Sequence, residues 1–240
     1  MSTKILFVLL FKTRENGEHP GMGQDRRHVM LVYFVRHGQT TWNKRKKLQG
    51  QHDTKLTPRG LEQARLAGEG MRDIPFDYII SSPLSRARMT AEIIRGDRPL
   101  EIEFDDRLKE IDFGRDNGRC FGKMLRDPRY VRYYRFFHEP DKYKPIKGAE
   151  SYQEVIARAD EFFRERIIPL ENEKETVLVV GHTTWMHAFI VHITGRPMSR
   201  LWDSSFGKNC EAVIFEVKNG EMSMVFENRM FYDEDDLTIS

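Results

Sequence analysis

The sequence predicts an α/β protein: a three-layer α/β/α sandwich with a mostly parallel central sheet, an antiparallel edge and a small cap insertion. Three observations carry this. Short apolar runs of strand character, MLVYFV (30–35), DYIIS (77–81) and TVLVV (176–180), alternate with amphipathic helical patterns, which is the signature of a parallel sheet covered by helices. Two late runs, 212–217 and 222–226, flank Asn219-Gly220, a strong signal for a tight hairpin and hence for an antiparallel edge. At 240 residues the chain can bury one good core with a modest excursion from it.

The elements follow in order. The first strand runs straight into Arg36-His37-Gly38. Thr57-Pro58 is an N-cap and N1 pair that opens a helix whose apolar side is expected to include Leu61, Ala64 and Met71. The second strand ends at Ser82-Pro83, and Leu84, Ala87, Ala91 and Ile94 give the next helix one buried face. Ser151 and Glu154 form a capping box for a helix with a core stripe of Tyr152, Val155, Ile156, Ala159, Phe162 and Phe163. The third strand ends at Gly181-His182, and the helix after it stops at Thr194-Gly195.

Composition narrows the function. Thirty-nine Lys and Arg against 37 Asp and Glu give no global charge that points to nucleic acid. Two cysteines, Cys120 and Cys210, make neither a disulfide framework nor a zinc ligand set, and fit a reducing, cytoplasmic setting. The apolar run 5–11 is too short for a membrane span and has no cleavage site after it. Residues 1–29 read as a loose leader, 30–232 as one catalytic domain with a cap insertion at 113–148, and 233–240 as an acidic tail.

Polar signals at three strand ends are the candidate site. Arg36-His37-Gly38, Ser81-Ser82-Pro83 with Arg86 just inside the next helix, and Gly181-His182 all fall where ligands bind in open α/β sheets. Burying two cations there is costly unless an anion meets them. A phosphomonoester, with roughly −1.5 to −2 charge, matches two forked guanidinium groups in charge and geometry.

The run RHGQTTWN, then LQG with Asp53, LTPRG and QA, then SSPLSRA with Thr90-Ala91, resembles the histidine phosphatase (phosphoglycerate mutase-like) superfamily. Leu108-Lys109-Glu110 with Gly114, Gly148-Ala149-Glu150-Ser151 and VLVVGH continue the match in order over roughly residues 30–217. The resemblance implies that His37 is a nucleophile that becomes phosphorylated, with Arg36, Arg86 and His182 holding the phosphoryl group and Glu110 donating a proton to the leaving oxygen. Asn43, Gln49 and Thr183 are the further candidates for contact with phosphate or substrate. The implied protein is a histidine acid phosphatase-type phosphomonoesterase acting on a small phosphorylated metabolite, with no metal or cofactor, no nucleic acid or membrane partner, and a homodimer left open. Gln49 and the short stretch from Gly114 to Gly148 favour the phosphatase branch over the mutases. A short, loop-rich, charged cap also reads as poorly suited to exclude water, as a mutase must. Asn117 and Thr183 depart from the family's usual Glu and Gly.

Other readings stand beside these. His37 alone reads equally as a structural histidine at a strand end. His187 and His192, about 140° apart on a helix, read as core or partner contacts, and Trp42 and Trp185 as packing residues. The segment 115–147 carries ten Lys or Arg against four acidic residues, interleaved with Tyr130, Tyr133, Tyr134, Phe136, Phe137 and Tyr143. It is open to reading as a nucleic-acid surface, and a cap over the site is the reading preferred.

Overall fold

A computed structural model describes residues 29–237. The expected leader lies outside the described residues except for Val29. The sheet has six strands in the order β3-β2-β4-β1-β5-β6. They are β1 (Met30–Arg36), β2 (Tyr78–Ser81), β3 (Ile102–Phe104), β4 (Thr176–Gly181), β5 (Ala212–Lys218) and β6 (Glu221–Arg229). The first four strands in chain order run parallel, and β5 is antiparallel both to β1 and to β6, which gives the expected mostly parallel sheet with an antiparallel edge. The β5–β6 turn has Asn219 at φ +54° and Gly220 at φ +75°, the paired positive values that a two-residue I′ hairpin needs. The Glu171 carboxylate accepts both of their backbone N–H groups.

Period-two alternation along the strands splits the core in two. Tyr33, Val35, Ile79, Leu178, Val180 and Ile214 face one side, under α2 (Pro58–Gly70) and α3 (Ser85–Arg95). Val32, Phe34, Ile80, Val177, Val179 and Phe215 face the other, under α6 (Tyr152–Phe162) and α7 (Thr183–Thr194). Each fully buried side chain of this size contributes about 1.5–3 kcal/mol relative to exposure. The expected caps hold. Thr57 Oγ1 accepts from Gly60, Ser151 and Glu154 close a reciprocal box, and Gly195 takes the left-handed conformation that ends α7.

Two local expectations are corrected. Leu61 is 43 % exposed, because α2 buries Gly60, Gln63, Ala64 and Ala67 instead. Two elements had not been anticipated: the edge strand β3, whose IEF is too short and too exposed to show a pattern, and the one-turn helix α1 (Thr41–Lys44). The segment 115–147 is less loop-rich than expected, since it holds α4 (Phe121–Met124), α5 (Val131–His138) and several single turns. Its Tyr133, Phe136 and Tyr143 are buried in the same core as α6 and α7. These three rings therefore serve as core, while Tyr134 stays exposed. Asp116, buried at its base, pairs with Arg119 at 2.9 Å and with Arg132, and accepts the Tyr133 hydroxyl at 3.1 Å. No helix among the described residues is long and apolar enough to cross a membrane.

Candidate active site

Strand register assembles the site. Arg36 pairs with Gly181 and Ser81 with Val180, so the residues that follow β1, β2 and β4 emerge in one row at the carboxyl ends of the strands. The first turn out of β1 needs glycine. A methyl on Gly38 would overlap the Gly60 carbonyl, and one on Gly60 would overlap Gln39, so two backbones meet where only glycines allow it. Thr90 ties this turn to α3, with its hydroxyl accepting from Gly38 N at 3.0 Å and donating to the Arg86 carbonyl at 2.7 Å.

His37 is buried, and its Nδ1 lies 2.7 Å from the Gly38 carbonyl. A carbonyl only accepts, so Nδ1 carries the proton and Nε2 keeps its lone pair. Burial, then Arg86 and Arg36, hold its pKa well below the usual histidine value, which keeps the ring neutral. The His182 ring centroid lies 5.2 Å away. Burial and the same cations depress the His182 pKa likewise, and Ser82 Oγ sits 2.8 Å from its Nε2.

Arg86 spans from α3 to the Gly50 and His52 carbonyls at 2.7 and 2.9 Å, and burial lowers its pKa to about 10, still protonated at neutral pH. Arg36 donates to the Gly207 carbonyl. Both guanidinium groups keep a buried Nε without a partner, as do His182 Nδ1 and Thr183 Oγ1. Four orphaned polar atoms, three of them donors or potential donors on cationic or imidazole groups, lie around one buried neutral imidazole. Such groups are costly to bury unless something else satisfies them.

A cavity of about 180 Å³ opens here. Of the residues expected from sequence, Arg36, His37, Asn43, Gln49, Arg86, Glu110 and Thr183 all line it, with His182 just beneath. The two amides are oriented by residues that sequence reading passed over. Gln49 Oε1 accepts from Thr40 Oγ1 at 2.7 Å and from Thr54 Oγ1 at 2.6 Å, and Asn43 Oδ1 accepts the Thr40 backbone N–H at 3.0 Å. With both carbonyl oxygens engaged, each amide has its NH₂ left for the cavity. The only advance signal was Thr40 standing three residues before Asn43, which is capping-box spacing.

Glu110 comes from a loop and sits on the N-terminus of α7. Its carboxylate accepts the backbone N–H groups of Ile111, Thr184 and Trp185 at 3.0–3.2 Å. Arg158 clasps that loop by donating to the Arg107 and Lys109 carbonyls at 2.6 and 2.5 Å, and is itself held by Glu150 at 3.0 Å. The Trp185 indole N–H donates to Arg107 O as well, at 2.7 Å, while the ring stacks 5.2 Å from Phe34. Trp185 is therefore packing, as expected. Trp42 stacks on His52 at 4.6 Å and stays out of the cavity, which Trp202, unremarked in the sequence, does line. Asn117 donates to Asp112 at 2.9 Å beside Gly50, and Thr183 puts its unpartnered hydroxyl in the cavity wall.

Fold and site together define an α/β protein with a buried neutral histidine in a cationic strand-end pocket. The chain belongs to the histidine phosphatase superfamily (branch 1), whose family model matches residues 32–229. Over 130 residues it is 46 % identical to a protein named probable phosphoglycerate mutase GpmB from Salmonella choleraesuis (strain SC-B67). That match covers 54 % of this chain and 60 % of the relative, so the chain spans somewhat over half the length of this curated protein. Among solved structures, Bacillus stearothermophilus YhfR superposes with a TM-score of 0.78 at 28 % identity, covering 84 % of this chain and 99 % of that one. A phosphoserine phosphatase from Entamoeba histolytica, in complex with 3-phosphoglyceric acid, gives 0.69 at 28 % identity over 83 % and 97 % of the two chains.

Proposed function

We propose that this protein is a phosphomonoester hydrolase that works through a phosphohistidine on His37. The observation that carries the reading is a histidine with a free Nε2, its ring held neutral, in a cavity lined by two buried arginines. A phosphoryl group seated in the cavity would have its charge met by Arg36 and Arg86, with donors from the Asn43 and Gln49 amides.

In the first step, His37 Nε2 attacks phosphorus as the P–O ester bond breaks. The arginines stabilise charge on the equatorial oxygens, and Glu110 gives its proton to the departing oxygen. In the second, water attacks the phosphohistidine, Glu110 takes up its proton, and inorganic phosphate leaves with His37 restored. Splitting the hydrolysis this way replaces one slow step by two easier ones.

The alternative is phosphoglycerate mutase chemistry, which the 46 % identity to the GpmB protein favours. A mutase must seat a second phosphate, yet the only cation lining the cavity besides Arg36 and Arg86 is Lys47. This supports the hydrolase, although the aromatic lining of the cap removes the charged, water-admitting cover as an argument for it.

Rapid quench with a labelled phosphomonoester is expected to leave acid-labile, base-stable phosphate on the wild-type protein. The His37→Ala variant is expected to show none, with turnover lowered about 10³-fold or more. Near-normal turnover in that variant would remove His37 from the mechanism. Mutase turnover far above phosphate release would reverse the choice between the two activities.

A further inference from the structure

One wall of the cavity is made almost entirely of ring carbon. Phe121, Phe137 and Trp202, each half-buried, form an arc with centroids 5.9 Å (Phe121–Phe137) and 5.3 Å (Phe137–Trp202) apart. Buried Phe136 backs the arc, 4.9 Å from Phe137 and 5.5 Å from Trp202. The one polar atom on these rings is already used, because the Trp202 indole N–H donates to the Phe136 carbonyl at 2.6 Å. Lys47 is the single charge on this side. Its ammonium lies 5.4 Å from the Trp42 ring centroid, and among the described residues it has no carboxylate partner.

We propose that this arc is a leaving-group subsite that selects phosphomonoesters of small aromatic alcohols. The inference rests on the hydrolase reading above, since it is a seated phosphate that presents the ester oxygen to the arc. A hydroxyl-rich leaving group would lose water against carbon and gain no hydrogen bonds in return. A flat ring keeps its preferred stacked or edge-to-face contacts there and buries apolar area. Size sets the other limit. A cavity of about 180 Å³ is smaller than the roughly 300–1,000 Å³ of sites for drug-sized ligands, so the leaving group is about one ring. Lys47 allows one anionic substituent on that ring, not the several charges of a bisphosphorylated sugar acid.

The test uses two pairs of probes. Benzyl phosphate and glycerol 1-phosphate both release alkoxides of similar basicity, so their kcat/KM ratio reports recognition and not intrinsic reactivity. Benzylphosphonate and methylphosphonate report binding by calorimetry without any turnover. The aromatic member of each pair is expected to be favoured about tenfold or more. Phe137→Ala and Phe121→Ala are expected to lower that preference about tenfold, mainly through KM. Phe137→Leu, which keeps apolar bulk and loses the flat face, is expected to fall between. Equal binding of the two phosphonates, or a preference unchanged in all three variants, overturns the subsite. Equal binding with phosphate still released from both esters leaves the hydrolase reading standing. Preferential binding without phosphate release supports the subsite and overturns the hydrolase.

Discussion

The floor and the roof of this cavity are built on opposite principles. The floor is polar, buried and incompletely satisfied: His182 Nδ1, Thr183 Oγ1 and the Nε atoms of both arginines are left without partners by the strands and helices that place them. The roof is aromatic, and three of its polar ring atoms find protein partners. Tyr133 donates to Asp116, the Trp202 indole to Phe136, and the Tyr152 hydroxyl to Phe136 as well, at 2.8 Å. Polar atoms without partners cost stability, and four of those in the described residues belong to the floor. The roof can vary in ring shape without leaving a charge unpaired. On the proposed reading, reaction chemistry belongs to the floor and substrate choice to the roof.

The largest effect that probes this division is expected at Glu110. Glu110→Gln should slow hydrolysis of alkyl phosphates about 10²–10⁴-fold and of nitrophenyl phosphate far less, because that leaving group needs little protonation. Parallel kcat measurements on the two esters decide it, and equal losses would make Glu110 a structural anchor for α7. A smaller loss, about tenfold in kcat/KM, is expected for Thr40→Val. This change keeps the volume but frees the Gln49 amide to turn, and it should act alike on aromatic and aliphatic esters. A loss confined to aromatic esters would mean that the amides serve the roof instead.

The smallest effect tests the seam between the two regions. His187 lies under Trp202, with ring centroids 4.6 Å apart, and its Nε2 is 2.8 Å from the Phe206 carbonyl. Burial pushes its pKa down to about 4. Because the folded value is below the unfolded one, the unfolded chain binds more protons between about pH 6.5 and 4. Stability is therefore complete above that window and is lost as pH falls through it. His187 alone should lower stability by about 2 kcal/mol from pH 7 to pH 5, or roughly 4–8 °C in Tm. Thermal melts of His187→Gln, which keeps an N–H for Phe206 but does not titrate, should show a shallower fall. An identical slope would assign the acid sensitivity to His37 and His182, whose depressed values act in the same direction.

What could be read from the sequence follows the range of the interactions. β1, β4 and the β5–β6 hairpin announce themselves because burial on both faces and a two-residue turn are local patterns. Arg36, His37, Arg86 and His182 were legible because each stands at a strand end or just inside a helix. β3 was not, since IEF has three residues with two of them exposed. Leu61 misled because helical spacing shows a stripe, not which side of it the sheet covers. Thr40 and Thr54 escaped notice because their role is to turn two amides, and only tertiary contact reveals which way an amide faces. The aromatic run of 130–143 was ambiguous for a related reason. Composition cannot say whether a ring points into a core or into solvent, and Tyr133 is 1 % exposed where its neighbour Tyr134 is 48 % exposed.

The place of β1 in the sheet also governs the order of events during synthesis. Its two neighbours are β4 and β5, neither of which exists until the ribosome has passed residue 176. At about 5–20 residues per second the strand that leads into His37 therefore waits on the order of ten seconds for a partner. For that interval an apolar segment ending in an arginine and a histidine stays unpaired. The Arg36 contact with Gly207, 171 residues along the chain, comes later still. The cluster of Arg36, His37, Arg86 and His182 is thus the product of most of the chain, and a nascent fragment stopped before β4 holds the RHG sequence without the sheet that gives it meaning.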